Sequence, residues 1–276
     1  MPKNHRQGPE RPGSAPAYSV SQNFLTSRRL IERLIRLAGL KEGDPVLEIG
    51  AGKGHITRAL ADAGCHVTAV EIDPRLCASL RESLRPYPGA VLKQGDFLQM
   101  PLPRGGYTVF ANLPFNHTSA ILRRLTASRT PPKDAWLVIE KGAALRFCGI
   151  PYESKNSLLL KPYFQTEIVY FFRREDFHPS PSVDVVMLHL SRRDDPDLTP
   201  GERRAFSDFI DHVQRYGLTG ARGLLTKKQA ATALRLAGLP PLKPSGTMQY
   251  VQWLCLFRCS RRFGALAPSA GTSRRP

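Results

Sequence analysis

Val46-Leu47-Glu48-Ile49-Gly50-Ala51-Gly52-Lys53-Gly54 is the stretch on which the reading of this 276-residue chain turns. Val46 to Ile49 make a short strand, three glycines follow at alternate positions, and Ile56 to Ala63 reads as a helix closed by Gly64. Glycines placed so permit a tight turn and let backbone come close to a bound nucleotide. A second strand, Val67 to Val70, runs into Glu71-Ile72-Asp73, and Pro74 is well placed to open the next helix. Glu71 stands 21 residues after Gly50, at the end of that strand, where a carboxylate can accept both hydrogen bonds of a ribose diol. An NAD site and an S-adenosylmethionine site share these features. An ATP-type phosphate loop does not, because Lys53 is followed by Gly54 rather than Ser or Thr.

Outward from this unit, Ala90 to Lys93, Thr108 to Ala111 and Trp136 to Glu140 are further strand candidates. Their alternation with helices predicts a mostly parallel sheet covered by helices. Phe164 to Phe172 and Val183 to Leu190 have no clear helix between them, as expected of an antiparallel edge. Upstream, Leu30, Ile31, Leu34, Ile35 and Leu37 share one face of a helix over Ser27 to Leu37, which Gly39 ends. Residues 1–17, rich in Pro, Gly and basic side chains, read as a disordered arm. Beyond residues 18–191 the character changes to a charged linker and helical segments around Arg203 to Val213, Leu224 to Leu236 and Met248 to Phe257. Residues 192–264 therefore form a small, basic helical domain, with a loose tail at 265–276.

The formal charge is +17, and 41% of residues are apolar, enough to bury a sizeable core. Such a surplus attracts a polyanion, and nucleic acid is the expected partner. Between Arg192 and Pro276, fifteen Lys and Arg face six Asp and Glu. Five cysteines without a Cys-x-x-Cys pair read as reduced thiols, and no His/Cys set suggests a metal. The polar N-terminus lacks the apolar run of a secretory signal, and no segment is apolar enough to span a bilayer. Cytoplasmic residence is expected.

The chemistry is chosen by Asn112-Leu113-Pro114-Phe115, directly after the strand Thr108 to Ala111. An exocyclic adenine amine is a weak nucleophile and must pyramidalise as it attacks a sulfonium methyl. The side-chain oxygen of Asn112 and the carbonyl of Leu113 can each accept one amine hydrogen, aiming the lone pair at the methyl carbon. Pro114 stiffens the turn, and Phe115 offers a flat face for the base. Phe177, in Phe177-His178-Pro179-Ser180-Pro181-Ser182-Val183, is placed either to close the other face of a flipped base or to fill the core. Asp96, after Gly95, either accepts from the cofactor's adenine amine, with the Phe97 amide nearby, or caps the next turn.

These stretches, in this order, resemble the ribosomal RNA adenine N6-dimethyltransferases, and more narrowly the erythromycin-resistance (Erm) methyltransferases. Ser21-Gln22-Asn23-Phe24-Leu25, Glu48 to Gly54, Glu71-Ile72-Asp73, Gly95-Asp96-Phe97, Asn112 to Phe115 and Phe177 to Val183 carry the likeness over roughly Tyr18 to Ser191. The resemblance implies a class I Rossmann-like α/β methyltransferase with a seven-stranded sheet and the helical domain behind it. It implies S-adenosyl-L-methionine as cofactor, with Gln22, Asn23 and Phe24 beside its methionine part. Gly50, Gly52 and Gly54 lie under it, Glu71 holds the ribose and Asp96 the adenine, with Ile72, Phe97 and Asn112 also among the implied cofactor-binding residues. Asn112 and Phe115 hold the target base, within the implied catalytic run Asn112, Leu113, Pro114 and Phe115. The implied substrate is one adenine of the peptidyl-transferase loop of 23S rRNA, naked or in immature large subunits, and the implied enzyme is a monomer conferring macrolide, lincosamide and streptogramin B resistance. Glu140 to Phe147, Ser157 to Phe164 and Phe172 to Phe177 look like the resistance branch; Gly142 and Leu113 depart from its usual residues.

Four other readings remain open at this point. A small-subunit rRNA adenine dimethyltransferase shares most of the motifs. An NAD-dependent dehydrogenase would use the same glycines but leaves Asn112 to Phe115 idle. A noncatalytic RNA-binding relative would be expected to have lost Glu71, Asn112 or the glycines. A DNA adenine methyltransferase needs a target-recognition domain for which the chain has little room. Mono- and dimethylation are not distinguished by these residues.

Overall fold

The computed structural model describes residues 23–243 and 247–263. The expectations for residues 1–17, for Gln22 and for the tail at 265–276 fall outside the described residues.

In chain order the strands are β1 (Phe24–Leu25), β2 (Pro45–Ile49), β3 (His66–Glu71), β4 (Ala90–Gln94), β5 (Thr108–Asn112), β6 (Asp134–Glu140), β7 (Phe164–Phe171), β8 (Phe177–His178) and β9 (Val185–Arg192). Seven of them form one sheet in the order β4-β3-β2-β5-β6-β9-β7. The pairs from β4 across to β6 are parallel, and β9 runs antiparallel to both β6 and β7. The mostly parallel, seven-stranded sheet with an antiparallel edge is thus present as the motifs implied.

Runs such as Ala135-Trp136-Leu137-Val138-Ile139 have no polar face because helices cover both sides of the sheet. Val109, Ala111, Leu137, Ile139, Val186 and Leu188 pack on one side, beneath α4 (Thr118–Thr126) and α5 (Lys141–Cys148). Phe110, Trp136, Val138 and Met187 pack on the other. There they meet α1 (Arg28–Leu37) and α2 (His55–Asp62), while α3 (Pro74–Ser83) adds Leu80. Leu30, Ile31, Leu34 and Ile35 are the buried stripe of α1, each worth about 1.5–3 kcal/mol when fully buried. Ser27 caps that helix by accepting from the Leu30 N–H at 3.3 Å.

Helices α4, α5 and α6 (Lys155–Leu160) were not resolved by apolar periodicity, being short and bounded by polar turns. The later helices are α7 (Glu202–Tyr216), α8 (Lys227–Leu236) and α9 (Tyr250–Phe263). Helix α8 starts three residues after Leu224 because Thr226 and Gln229 close a reciprocal capping box. These three helices gather Phe206, Phe209, Trp253 and Phe257 into a core of their own, which also takes in Leu158 of α6.

One buried acid in the fold has a measurable consequence. Glu48, 1% exposed in β2, has its Oε2 fully buried without a hydrogen bond among the described residues. Burial pushes its carboxyl up to about 8, with the negative Glu71 adding to the rise. Thr57 stands close enough to offset a little of this, yet no hydrogen bond of ordinary geometry joins its hydroxyl to Oε2. An acid raised in the folded state binds more protons than the unfolded chain between about pH 4.5 and 8, so it subtracts stability as pH rises through that window. Glu48→Gln is therefore expected to gain stability relative to the wild type from pH 5 to 8, with the difference level above 8. Urea melts across that range check it, and a pH-independent difference would show that Glu48 titrates normally.

Candidate active site

The chain moves out from β2 to β3 and β4, then returns to the other side of β2 as β5. Such a switch point leaves a crevice at the carboxyl ends of the strands. A single cavity there is walled by the ends of β2, β3 and β5 and by the segments after β4 and before β1. It brings together Asn23, Phe24, Gly50, Gly52, Glu71, Ile72, Asp96, Phe97, Asn112, Leu113, Pro114 and Phe115. Gly54 stands at the start of α2 rather than in the wall.

The floor is built around Glu71, which is 2% exposed. Its Oε2 accepts from the Gly52 N–H at 2.7 Å, and Oε1 accepts from the N–H groups of Ile72 (2.8 Å) and Asp73 (2.9 Å). Three backbone donors thus occupy three of the roughly four acceptor positions of a carboxylate. A ribose diol meets one open position on Oε2 and competes with Gly52 for the other.

The glycine turn is tied down where Gly50 and Ala51 donate to Val70 O at 2.9 and 3.0 Å. Gly52 has φ +56°, and a Cβ there would lie 2.6 Å from the Phe24 ring. Close approach by Phe24, not only the turn itself, therefore demands glycine at 52. Lys53 Nζ sits 5.1 Å above the same ring.

Phe24 is held by a contact that the sequence did not disclose. β1 pairs antiparallel with β8, setting Phe24 opposite His178 and Leu25 opposite Phe177. Phe177 is 3% exposed, lies edge-on to Phe172 at 5.3 Å between ring centroids, and belongs to the core. Of the two placements expected for it, the structure has the core one, and the cavity wall does not include it.

At the far end, Asp96 does cap its turn, accepting from the Leu98 N–H at 2.9 Å and from Gln99 Nε2 at 3.2 Å. It also faces the cavity, so capping and cofactor contact are compatible roles. Phe97 forms a buried wall beside it, with the Arg124 guanidinium 5.8 Å from its ring.

Between these ends lies Asn112. Its Nδ2 donates to Asn23 O at 2.7 Å, which fixes the amide orientation and turns Oδ1 outward as an acceptor. Leu113 donates its N–H to Val138 O at 3.1 Å, while its carbonyl is not taken up by any hydrogen bond among the described residues. The Pro114 carbonyl is engaged by the His117 N–H and the Thr118 hydroxyl. Two open acceptors therefore stand on consecutive residues, beside the half-buried Phe115 ring. Val70, Leu98, Asn116, His117 and Ile121 also line the cavity and were not singled out from sequence. All but Ile121 stand within two residues of the recognised stretches, which is the signal that would have found them. Gln22 lies outside the described residues.

Among the described residues no group of His, Cys, Asp and Glu could hold a metal ion, and no helix is long and apolar enough to cross a membrane. The five cysteines form no disulfide; Cys65, Cys77 and Cys148 are buried and Cys255 and Cys259 half-buried.

Three comparisons bear on this site. The profile of a family described as ribosomal RNA adenine dimethylase matches residues 16–214. An rRNA adenine N-6-methyltransferase of Limosilactobacillus reuteri is 30% identical over 244 residues, covering 88% of this chain and 96% of that one. A ribosomal RNA small subunit methyltransferase A of Chlorobaculum parvum is also 30% identical, over 80% of this chain and 85% of its own. Among solved structures, the 23S rRNA methyltransferase ErmE superposes with a TM-score of 0.73 at 30% identity, over 87% of this chain and all of that one.

Proposed function

The chain belongs to the ribosomal RNA adenine dimethylase family, and from that premise we propose that it methylates the N6 of one adenine in the peptidyl-transferase loop of 23S rRNA. Its cofactor is S-adenosylmethionine, which supplies an electrophilic methyl group on a sulfonium centre. The residues present fit it: a buried acid with an acceptor position open to a ribose, a glycine turn closed over by Phe24, and Asp96 beside the flat Phe97 wall.

One observation carries the chemistry. Asn112 Oδ1 and the Leu113 carbonyl are both uncommitted, and the Asn23 carbonyl holds the Asn112 amide in the accepting orientation. Two acceptors on consecutive residues match the two hydrogens of an exocyclic amine. Accepting both directs the nitrogen lone pair out of the ring plane and stabilises positive charge as it develops there. Phe115 holds the base by stacking. The proton released from nitrogen passes to solvent, so no strongly shifted base is needed.

The large-subunit target rests on the resistance-branch likeness of Glu140 to Phe177 and on the similarity to ErmE across that protein's whole length. The small-subunit reading is favoured by a relative of equal identity. In the first reading the product blocks macrolide, lincosamide and streptogramin B binding, and the substrate is naked or immature large-subunit RNA in the cytoplasm, met by a monomer. The basic region at 192–264 grips backbone phosphates around the target, which makes affinity steeply salt-dependent and carries little sequence information.

Methyl transfer from labelled cofactor to separated large- and small-subunit RNAs, with mapping of the labelled adenine, decides the target. Label in the large-subunit loop is expected, together with macrolide resistance on expression in a sensitive bacterium. Label confined to the 3′ end of small-subunit RNA overturns the target and leaves the chemistry intact. Mass spectrometry of the digested product separates mono- from dimethyladenine. Phe115→Ala is expected to slow transfer roughly tenfold or more and Phe115→Tyr to be mild, because stacking is worth about 1–3 kcal/mol per base and needs no proton.

A further inference from the structure

The rim that carries the reactive asparagine continues across the sheet. Asn112 is in register with Val138 of β6, Val138 with Met187 of β9, and Met187 with Tyr170 of β7. Three strand spacings of about 4.8 Å put Tyr170 about 14 Å from Asn112 along that row. Phe171 is the next residue, at the end of the outermost strand and on the same edge of the sheet.

An irregularity in pairing between Ile168 and Tyr170 re-aims the side chains that follow it. Beyond it Phe171 is 62% exposed, while its neighbours Tyr170 and Phe172 pack partly onto the core. A cation accompanies each of the last two aromatics of the strand. Lys141 Nζ lies 5.9 Å from the Phe171 ring, and the Arg33 guanidinium 5.7 Å from the Tyr170 ring. Arg173 and Arg174 follow at once, both exposed. Asp176 accepts from the Arg173 N–H at 2.8 Å; the acids paired with the cations are Asp184, 3.6 Å from Lys141, and Glu175, 3.9 Å from Arg173. Both are loose, solvent-exposed pairs of the kind that contribute little and give way to a phosphate. Four cations against three acids around exposed aromatic surface are what a single-stranded nucleic acid uses: stacking faces for bases with charge for the backbone.

We propose that Phe171, with Lys141, Arg173 and Arg174, is a stacking platform for a nucleotide flanking the target adenine, holding the RNA strand across the sheet rim while the adenine sits at Asn112. This rests on the RNA-adenine reading above. It adds a contact to the RNA that is separate from both the base site and the basic C-terminal helices.

The test is a binding titration, by fluorescence anisotropy, of a labelled RNA hairpin whose single-stranded loop contains an adenine with unpaired neighbours. Phe171→Ala is expected to weaken binding roughly tenfold, Phe171→Trp to keep it, and Phe171→Leu to remain weak, since leucine restores apolar surface but no flat face. Cofactor affinity should not move. In turnover the loss should fall on the KM for RNA, with kcat at saturating RNA unchanged. An abasic residue beside the adenine should cost the wild type as much as Phe171→Ala does, and cost that variant almost nothing further. Equal binding by wild type and Phe171→Ala, full rescue by leucine, additive losses with the abasic RNA, or no wild-type binding to the hairpin would each overturn the platform. Methyl transfer to the same hairpin tests the target reading separately, because the binding ratio is read whether or not label is incorporated.

Discussion

Asn112→Ala is expected to lower the single-turnover rate of methyl transfer by roughly 100-fold or more while leaving cofactor affinity largely intact, the pattern for a group that matters most in the transition state. In the resting enzyme Oδ1 is held ready by one hydrogen bond, from Nδ2 to the Asn23 carbonyl at 2.7 Å. Removing the amide abolishes one of two acceptors for the reacting amine and frees the segment before β1. Asn112→Asp separates these losses. It keeps an acceptor oxygen, but it sets a carboxylate oxygen against the Asn23 carbonyl where a donor stood, so the orientation is lost. Both variants are expected to be severely slowed. Rapid-quench measurements on RNA, beside calorimetry of cofactor binding, check this. A near-normal rate for Asn112→Ala would remove the asparagine from the mechanism.

Glu71→Ala should weaken S-adenosylmethionine binding by about 1.5 to 3 kcal/mol, the order for losing charge-assisted hydrogen bonds. The structure adds a second cost. The N–H groups of Gly52, Ile72 and Asp73 would lose their common acceptor; that of Gly52 is buried, and a buried donor left unsatisfied costs about 1–3 kcal/mol. Glu71→Ala is therefore expected to lower the melting temperature of the free protein as well. Glu71→Gln retains one acceptor but turns an NH2 toward backbone donors, and should fall between alanine and wild type on both counts. The two effects separate through the cofactor-induced rise in melting temperature, which follows the ratio of ligand concentration to Kd and not the stability of the free protein. An unchanged cofactor affinity in Glu71→Ala would show that the carboxylate serves only the turn.

Much of this site is local in sequence, which explains why it could be read there. Gly50 to Gly54, Glu71, Asp96 and Asn112 each stand at or just after the end of a strand, and a parallel sheet brings such ends to one edge whatever the helices between them do. The contacts that escaped are the non-local ones. Nothing near Phe24 foretells its pairing with His178, and nothing near Asn112 foretells the Asn23 carbonyl, 89 positions away. Phe177 shows the same limit: an aromatic after a strand in a proline-rich loop has two reasonable destinations, and only the packing of Phe172 and Leu25 sends it inward. Helix α6, at six residues, is too short for a period to stand out, and the buried face of α5 is Ala143, Ala144, Phe147 and Cys148, two of them alanines that give little apolar contrast.

The pairing of Leu25 with Phe177 also sets the order in which the molecule can be completed during synthesis. The glycine turn and Glu71 emerge early and are already neighbours through β2 and β3. Phe24 emerges earlier still, yet the strand that holds it over Gly52 is not made until about 150 residues later, roughly 8 to 30 s at 5–20 residues per second. A nascent chain stopped short of His178 has the floor of the cofactor site but no anchor for the wall that closes it. Retention of S-adenosylmethionine therefore reports that β1 and β8, the two strands of the small sheet beside the main one, have been joined, and a translation product that ends before β8 would not sequester the cofactor.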